Sequence, residues 1–361
     1  MLLNNLRKET SERSDENNWT KSLLLSQGSY YYESIEGCNQ NNENIVKNLF
    51  ERARVDIVED GTQSLDDIRR LIIKLESTDK LIRKINFAKC FNINLQYVLY
   101  CDEVEKVFVY EFVSIDNLII NHVFNSYQEF ADWIYSIKGW KSNKSFREYN
   151  DLPNFDKKLR LAGTPWPTNI DCFVTDLENN PIGIVEFQNA DRVGVMNHCN
   201  NDYFLCKMTS TNQWGHTVYH DDIRRWTSQE ILRVQSGLKY IIITWSQNND
   251  DFQIKELEKI AIPHFPFKDD GKMDWDYHNR YKNAMSQYVN QNRQNNLFES
   301  ICNNGKTYFI VKNNNNINSV FNDPILSLEN KTFPSLYYHS KHKVENNRAL
   351  LLEHFNSIIN R

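Results

Sequence analysis

The stretch Thr168-Asn169-Ile170-Asp171-Cys172-Phe173-Val174-Thr175-Asp176-Leu177-Glu178-Asn179-Asn180-Pro181-Ile182-Gly183-Ile184-Val185-Glu186-Phe187-Gln188 decides the fold. Both flanks are rich in β-branched and aromatic residues, and Asn179-Asn180-Pro181 breaks them, which predicts an antiparallel hairpin of Ile170–Thr175 and Ile182–Gln188. Side chains alternate along a strand, so Glu186 and Gln188 leave on the same side as Ile182 and Ile184. The hairpin is expected to bring Asp171, at the start of one strand, and Glu186, near the end of its partner, to one edge of the sheet. Two converging carboxylates suit a hard divalent ion such as Mg²⁺. The plainer reading has Asp171 capping a turn and Glu186 facing solvent.

Beyond the hairpin, Asp221–Arg233 has helical spacing and Lys239–Trp245 (KYIIITW) reads as a buried strand. The order strand, strand, helix, strand, together with Asp171 and the Glu186-Phe187-Gln188 triplet, resembles the PD-(D/E)XK (restriction-endonuclease-like) nuclease superfamily over roughly residues 141–265. The resemblance implies an α+β or α/β chain with a central mixed sheet flanked by helices. It also implies an endonuclease, of the type II restriction or phage-defence kind, that hydrolyses DNA phosphodiesters with Mg²⁺ or Mn²⁺. Asp171 and Glu186 would hold the metal, joined by an upstream carboxylate, Glu148 or Asp156, between which the sequence does not choose. Gln188 stands where the family usually has Lys. A neutral amide orients a water but is neither a general base nor a cation beside the phosphate. That departure motivates the alternative of a non-catalytic nucleic-acid-binding or scaffold protein on the same core.

A formal net charge of −5 gives no global attraction to nucleic acid, so a phosphate-binding face has to be local. From Lys138 to Arg160, Lys138, Lys141, Lys144, Arg147, Lys157, Lys158 and Arg160 outnumber Glu148, Asp151 and Asp156 by four charges. Such an excess is what phosphate contact needs. Arg224 and Arg225 on the following helix are further candidates, and solvated helix faces account for both groups equally well. Cys199, Cys206, His216 and His220 form Cys-x6-Cys-x9-His-x3-His. The first gap is wider than the usual span of about two to four residues in tetrahedral zinc sites, so zinc is not expected.

Composition, 40% apolar and 25% charged, is that of a folded protein. Seven scattered cysteines, no leader-like N-terminus and no apolar run near the ~20 residues of a membrane span point to a reduced, cytoplasmic chain away from membranes. Residues 1–20 read as a flexible tail and 21–140 as an N-terminal α+β domain. Within that domain Asn44–Arg54 and Leu65–Leu75 are expected as helices, the second capped by Ser64 and Asp67. Gln96–Cys101 and Val107–Val113 are expected as a hairpin, and Tyr127–Ile137 as a helix ending near Gly139. After the 141–265 core, residues 266–361 form an extension with helices at Trp275–Val289 and Asn346–Ile359 and a strand at Thr307–Val311. DNA is the expected partner, and a homodimer is compatible with the sequence.

Overall fold

The computed structural model describes residues 2–9, 28–58, 61–142, 152–164, 168–191, 209–211, 213, 215, 217–219, 223–246, 251–257, 265–279, 298–303, 306–311, 337–343 and 348–360. The chain is α+β with mixed strand pairing. It divides into two units, one of Met1–Glu16, Gly28–Ile182 and Gln235–Gly237, the other of Asn17–Gln27, Gly183–Val234 and Leu238–Arg361. Among the described residues no helix is long and apolar enough to cross a membrane.

The first unit holds β1 (Leu2–Arg7), β2 (Tyr31–Gln40), β3 (Val46–Val58), α1 (Leu65–Glu76), α2 (Thr78–Lys89), β4 (Leu95–Cys101), β5 (Lys106–Ser114), β6 (Asn117–Phe124), α3 (Tyr127–Lys138), α4 (Asn154–Leu161) and β7 (Thr168–Thr175). Its sheet runs β7-β2-β3-β4-β5-β6. Only β3 and β4 are parallel in it, and α1 and α2 form the crossover between them. The long β3 shares one edge between two partners. Gly37 and Cys38 of β2 face Phe50 and Leu49 in its first half, and Leu2 and Leu3 of β1 face Val58 and Ile57 in its second.

Two expectations are corrected here. Leu2–Arg7 is a paired strand rather than the start of a tail, because its backbone completes the free half of β3. Asn44–Arg54 contributes to a strand rather than a helix: Val46, Leu49, Phe50 and Ala53 mimic a helical stripe, yet Asn48 and Glu51 are buried as well, as in a strand covered on both faces. The capping box of Ser64 and Asp67 forms as expected, and α3 ends in left-handed Gly139 (φ 71°). The β4–β5 hairpin also forms, with Leu95 opposite Phe112. β2, α2 and β6 were not anticipated.

The core of this unit collects Phe50, Tyr100, Tyr127, Phe130, Ile134 and Phe155, each contributing on the order of 1.5–3 kcal/mol by burial. Gly37 is part of that packing. A Cβ at this position would fall on the Phe50 ring, so the ring lies directly over the glycine backbone. Gly37→Ala is expected to cost about 1–3 kcal/mol in urea unfolding through overpacking. Phe50→Leu in the same background should recover part of the loss.

The second unit contains β8 (Pro181–Asn189, from Gly183 onward), β9 (Thr209–Thr211), β10 (Thr217–Tyr219), α5 (Ile223–Ser236, to Val234), β11 (Lys239–Ser246), β12 (Asp251–Leu257), β13 (Phe298–Asn303), β14 (Lys306–Val311), β15 (Tyr337–Lys343) and α6 (Arg348–Ile359). Its main sheet runs β13-β14-β15-β12-β11-β8. β8 and β11 are parallel and the other neighbours antiparallel. Parallel neighbours need a crossover, and α5 provides it. β11 is buried from Tyr240 to Ser246, as its unbroken run of Ile predicts for a central strand. Lys239 Nζ donates to the Ile358 and Ile359 carbonyls at the end of α6, where a cation satisfies both orphan acceptors and the helix dipole. The helix expected over Trp275–Val289 is seen in its first residues, 275–279, and the remainder lies outside the described residues.

Candidate functional site

Both flanks of the deciding stretch are strands, β7 and β8. The turn from Asp176 to Asn180 is closed by the Asp176 N–H donating to the Asn180 carbonyl at 3.0 Å, with Asn179 at φ 68°. The Asp176 carboxylate accepts from the backbone N–H groups of Glu178 and Asn180. Burial works against this carboxylate, but those donors and the Asn180 side chain hold its pKa below the ordinary value.

On β8 the register pairs Glu186 with Ile242 and Gln188 with Thr244 of β11, so alternation places Glu186, Gln188, Thr244 and Ser246 on one face near the carboxyl ends of two parallel strands. Ligands of open α/β sheets commonly bind outside the carboxyl ends of the strands. The Thr244 hydroxyl donates to Gln188 Oε1 at 3.2 Å. Just past β8, Asp191 accepts from the Ser246 hydroxyl at 2.9 Å and from the Asn189 amide at 3.0 Å.

Glu186 is buried, its side chain 3% exposed, and the guanidinium of Arg225 from α5 reaches it. The carboxylate oxygen it reaches is Oε1. Arg225 itself is 47% exposed, so solvent screens the pair and leaves the arginine free to exchange partners. Arg225, expected on phosphate, therefore serves as counter-ion to the proposed metal carboxylate. Arg224 also lies on α5.

Asp171 is half-buried on β7 and belongs to the first unit, whereas Glu186 and Gln188 belong to the second. Of the two upstream carboxylates, Asp156 is committed to Arg52, which approaches it through Nη1 and, at 3.1 Å, through Nη2. Glu148 lies outside the described residues, as do Lys144, Arg147, Cys199, Cys206, His216 and His220. Lys141 pairs with Asp132 at 3.3 Å and sits over the Tyr135 ring, Lys158 pairs with Glu105 at 3.1 Å, and Lys157 is half-buried on α4.

Glu186 offers a hard carboxylate oxygen, which fits Mg²⁺ or Mn²⁺ rather than a soft metal. The buried Glu186 carboxylate, now neutralised by Arg225, is the kind of group such an ion takes over once Arg225 moves aside. Among the described residues no three His, Cys, Asp or Glu side chains converge into a metal seat. Sequence reading missed Asp191, Thr244 and Ser246. The signal was there, because Ile242, Thr244 and Ser246 step at period two out of an apolar strand. No protein-family model, no curated protein and no solved structure matches this chain.

Proposed function

We propose that the chain is a Mg²⁺-dependent endonuclease acting on DNA phosphodiesters through a restriction-endonuclease-like core, in a restriction or phage-defence role. The observation that carries this reading is Glu186. A buried carboxylate, two residues before Gln188, stands near the carboxyl end of a strand whose parallel neighbour is reached through a helix. Asp171 is the second carboxylate of the resemblance. When bound, Mg²⁺ supplies polarisation of the scissile phosphate and a lowered pKa for the attacking water.

The chain's own groups have defined parts in this reading. Glu186 holds the cation with an oxygen already stripped of water. Gln188, steadied by Thr244, directs its amide at the water. Arg225, released from Glu186, carries its charge to the phosphate, where a planar fork binds two oxygens. Arg225, not Gln188, thereby brings the positive charge that a lysine would supply.

A second reading rests on the same pair: a resident Arg225 that neutralises Glu186, beside a neutral Gln188, suits a nucleic-acid-binding protein without turnover. Incubating the chain with plasmid and linear duplex in Mg²⁺ or Mn²⁺ separates the two. Cleavage is expected, and Glu186→Gln is expected to slow it by at least the roughly 10–100-fold that loss of a group merely supporting a metal ligand causes. Salt-sensitive binding without any cleavage would establish the second reading instead. Cleavage that survives both Glu186→Gln and Asp171→Ala would place the chemistry elsewhere.

A further inference from the structure

We infer that the first unit contains a buried binding site for one small uncharged molecule, of the size of water and able both to donate and to accept a hydrogen bond, between Asn39 and Thr164. Asn39 lies on β2 and is fully buried, and among the described residues neither its Nδ2 nor its Oδ1 has a hydrogen-bond partner. Thr164, three residues beyond α4, is 6% exposed, and its Oγ1 likewise has none. Both residues line one cavity of about 20 Å³. Buried amides and hydroxyls are nearly always paired, so unmatched groups from two chain segments facing one space point to a shared partner.

The lining sets the class of occupant. Phe50 and Phe155 make the walls apolar, while Arg52 and Glu36 bring one charge of each sign. Those charges are already spent: Arg52 Nε donates to Glu36 at 2.6 Å, and its two other nitrogens face Asp156. An anion would meet Glu36 and a cation would meet Arg52. What stays open is neutral, an amide donor, an amide acceptor and a hydroxyl that does both. The volume exceeds the roughly 10–15 Å³ that one water needs and is too small for a nucleobase or a sugar. A water there joins β2 to the segment leaving α4, holding the helix to the sheet through hydrogen bonds that neither segment makes alone.

High-resolution crystal structures of the full chain and of Thr164→Val test the inference. In the unaltered chain we expect one density peak within about 2.7–3.2 Å of both the Asn39 amide and Thr164 Oγ1. The peak should be lost in the near-isosteric Thr164→Val and retained in Thr164→Ser. An unaltered chain whose Asn39 amide turns onto a protein group with no peak beside it overturns the proposal. So does a peak that persists in Thr164→Val.

Discussion

Replacing Lys84 by methionine is expected to cost the first unit about 3–5 kcal/mol, the usual penalty for removing one partner from a buried ion cluster. Lys84 Nζ lies 3.1 Å from Glu51 Oε1 and 3.1 Å from Glu76 Oε2, with all three side chains 6% exposed or less. Lys8 enters from the segment after β1 and contacts Glu51 and, at 2.7 Å, Glu76, while the Tyr97 hydroxyl donates to Glu76 at 2.9 Å. Lys8 also meets Glu36 at 3.3 Å, so among the ion pairs described Lys84 is the cation that serves only the buried pair of Glu51 and Glu76. Without Lys84 the pair Glu51 and Glu76 shares one ammonium, and a negative charge is left with no water to solvate it. Hydrogen exchange along β3 and β4 reads the loss locally. Lys84→Met combined with Glu51→Gln removes one charge of each sign and should recover more than half of it. An equal loss in single and double variants would mean that packing of the lysine stem, not charge, carries the effect.

The same cluster gives the unit its acid sensitivity. Burial pushes the Glu76 carboxyl up, but Lys8 and then Lys84 outweigh it and bring its pKa down to about 2 from an ordinary 4.5. A depressed carboxylate stabilises the fold fully above its unfolded pKa, and that contribution fades as pH falls from about 4.5 towards about 2. The shift corresponds to about 3 kcal/mol over this window. Burial opposes the charge on Lys8 too, yet Glu51, Tyr97, Glu36 and Glu76 raise its pKa well above the lysine value, so it stays charged throughout.

How much of this was legible in the sequence follows from the range of the interactions. Ser64 and Asp67 predict α1 because a cap is settled within four residues, and the Ile run of β11 predicts a buried strand by its own composition. β3 reads as a helix because Asn48 to Glu51 are buried on both faces and hide the alternation that Arg52-Ala53-Arg54-Val55-Asp56-Ile57 shows, while Val46, Leu49, Phe50 and Ala53 fall on a helical stripe by chance. β1 is hidden for a different reason: LLNNLR is ordered by the free half of β3, some fifty residues away, and by the Gln63 side chain, which both donates to and accepts from the Leu3 backbone. The candidate site divides the same way. Glu186 and Gln188 sharing a face follows from strand period. The arrival of Arg225 on Glu186 does not, since it depends on how α5 crosses between β8 and β11. The cluster of Lys8, Glu51, Glu76 and Lys84 draws on β3, α1, α2 and the segment after β1, and no spacing announces it.

Asp156→Ala is expected to loosen α4 by about 3–5 kcal/mol while leaving the proposed Mn²⁺ site at Glu186 untouched. α4 has eight residues, too few to hold a helix in water alone, and its N-cap Pro153 offers no side-chain hydrogen bond. Tertiary anchors must therefore keep it folded. One is Phe155, stacked on Tyr100 with ring centroids 4.3 Å apart. The other is Asp156, 2% exposed and gripped by two nitrogens of Arg52. Burial works against the Arg52 charge, but the hydrogen bond to Asp156, and then Glu36, raises its pKa further, so it cannot escape the lost partner by shedding a proton. Asp156→Ala takes from that guanidinium its buried carboxylate partner and leaves the half-buried Glu36 as the carboxylate beside it. Proteolysis and hydrogen exchange should report opening at residues 154–161, with Asp156→Asn intermediate because it keeps the shape and one acceptor. Mn²⁺ affinity, titrated calorimetrically, is expected to be unchanged in Asp156→Asn, because the carboxylate serves Arg52 and not a metal. A loss of Mn²⁺ affinity with stability unchanged would return Asp156 to the metal site and make Arg52 its resting counter-ion, in the way Arg225 attends Glu186.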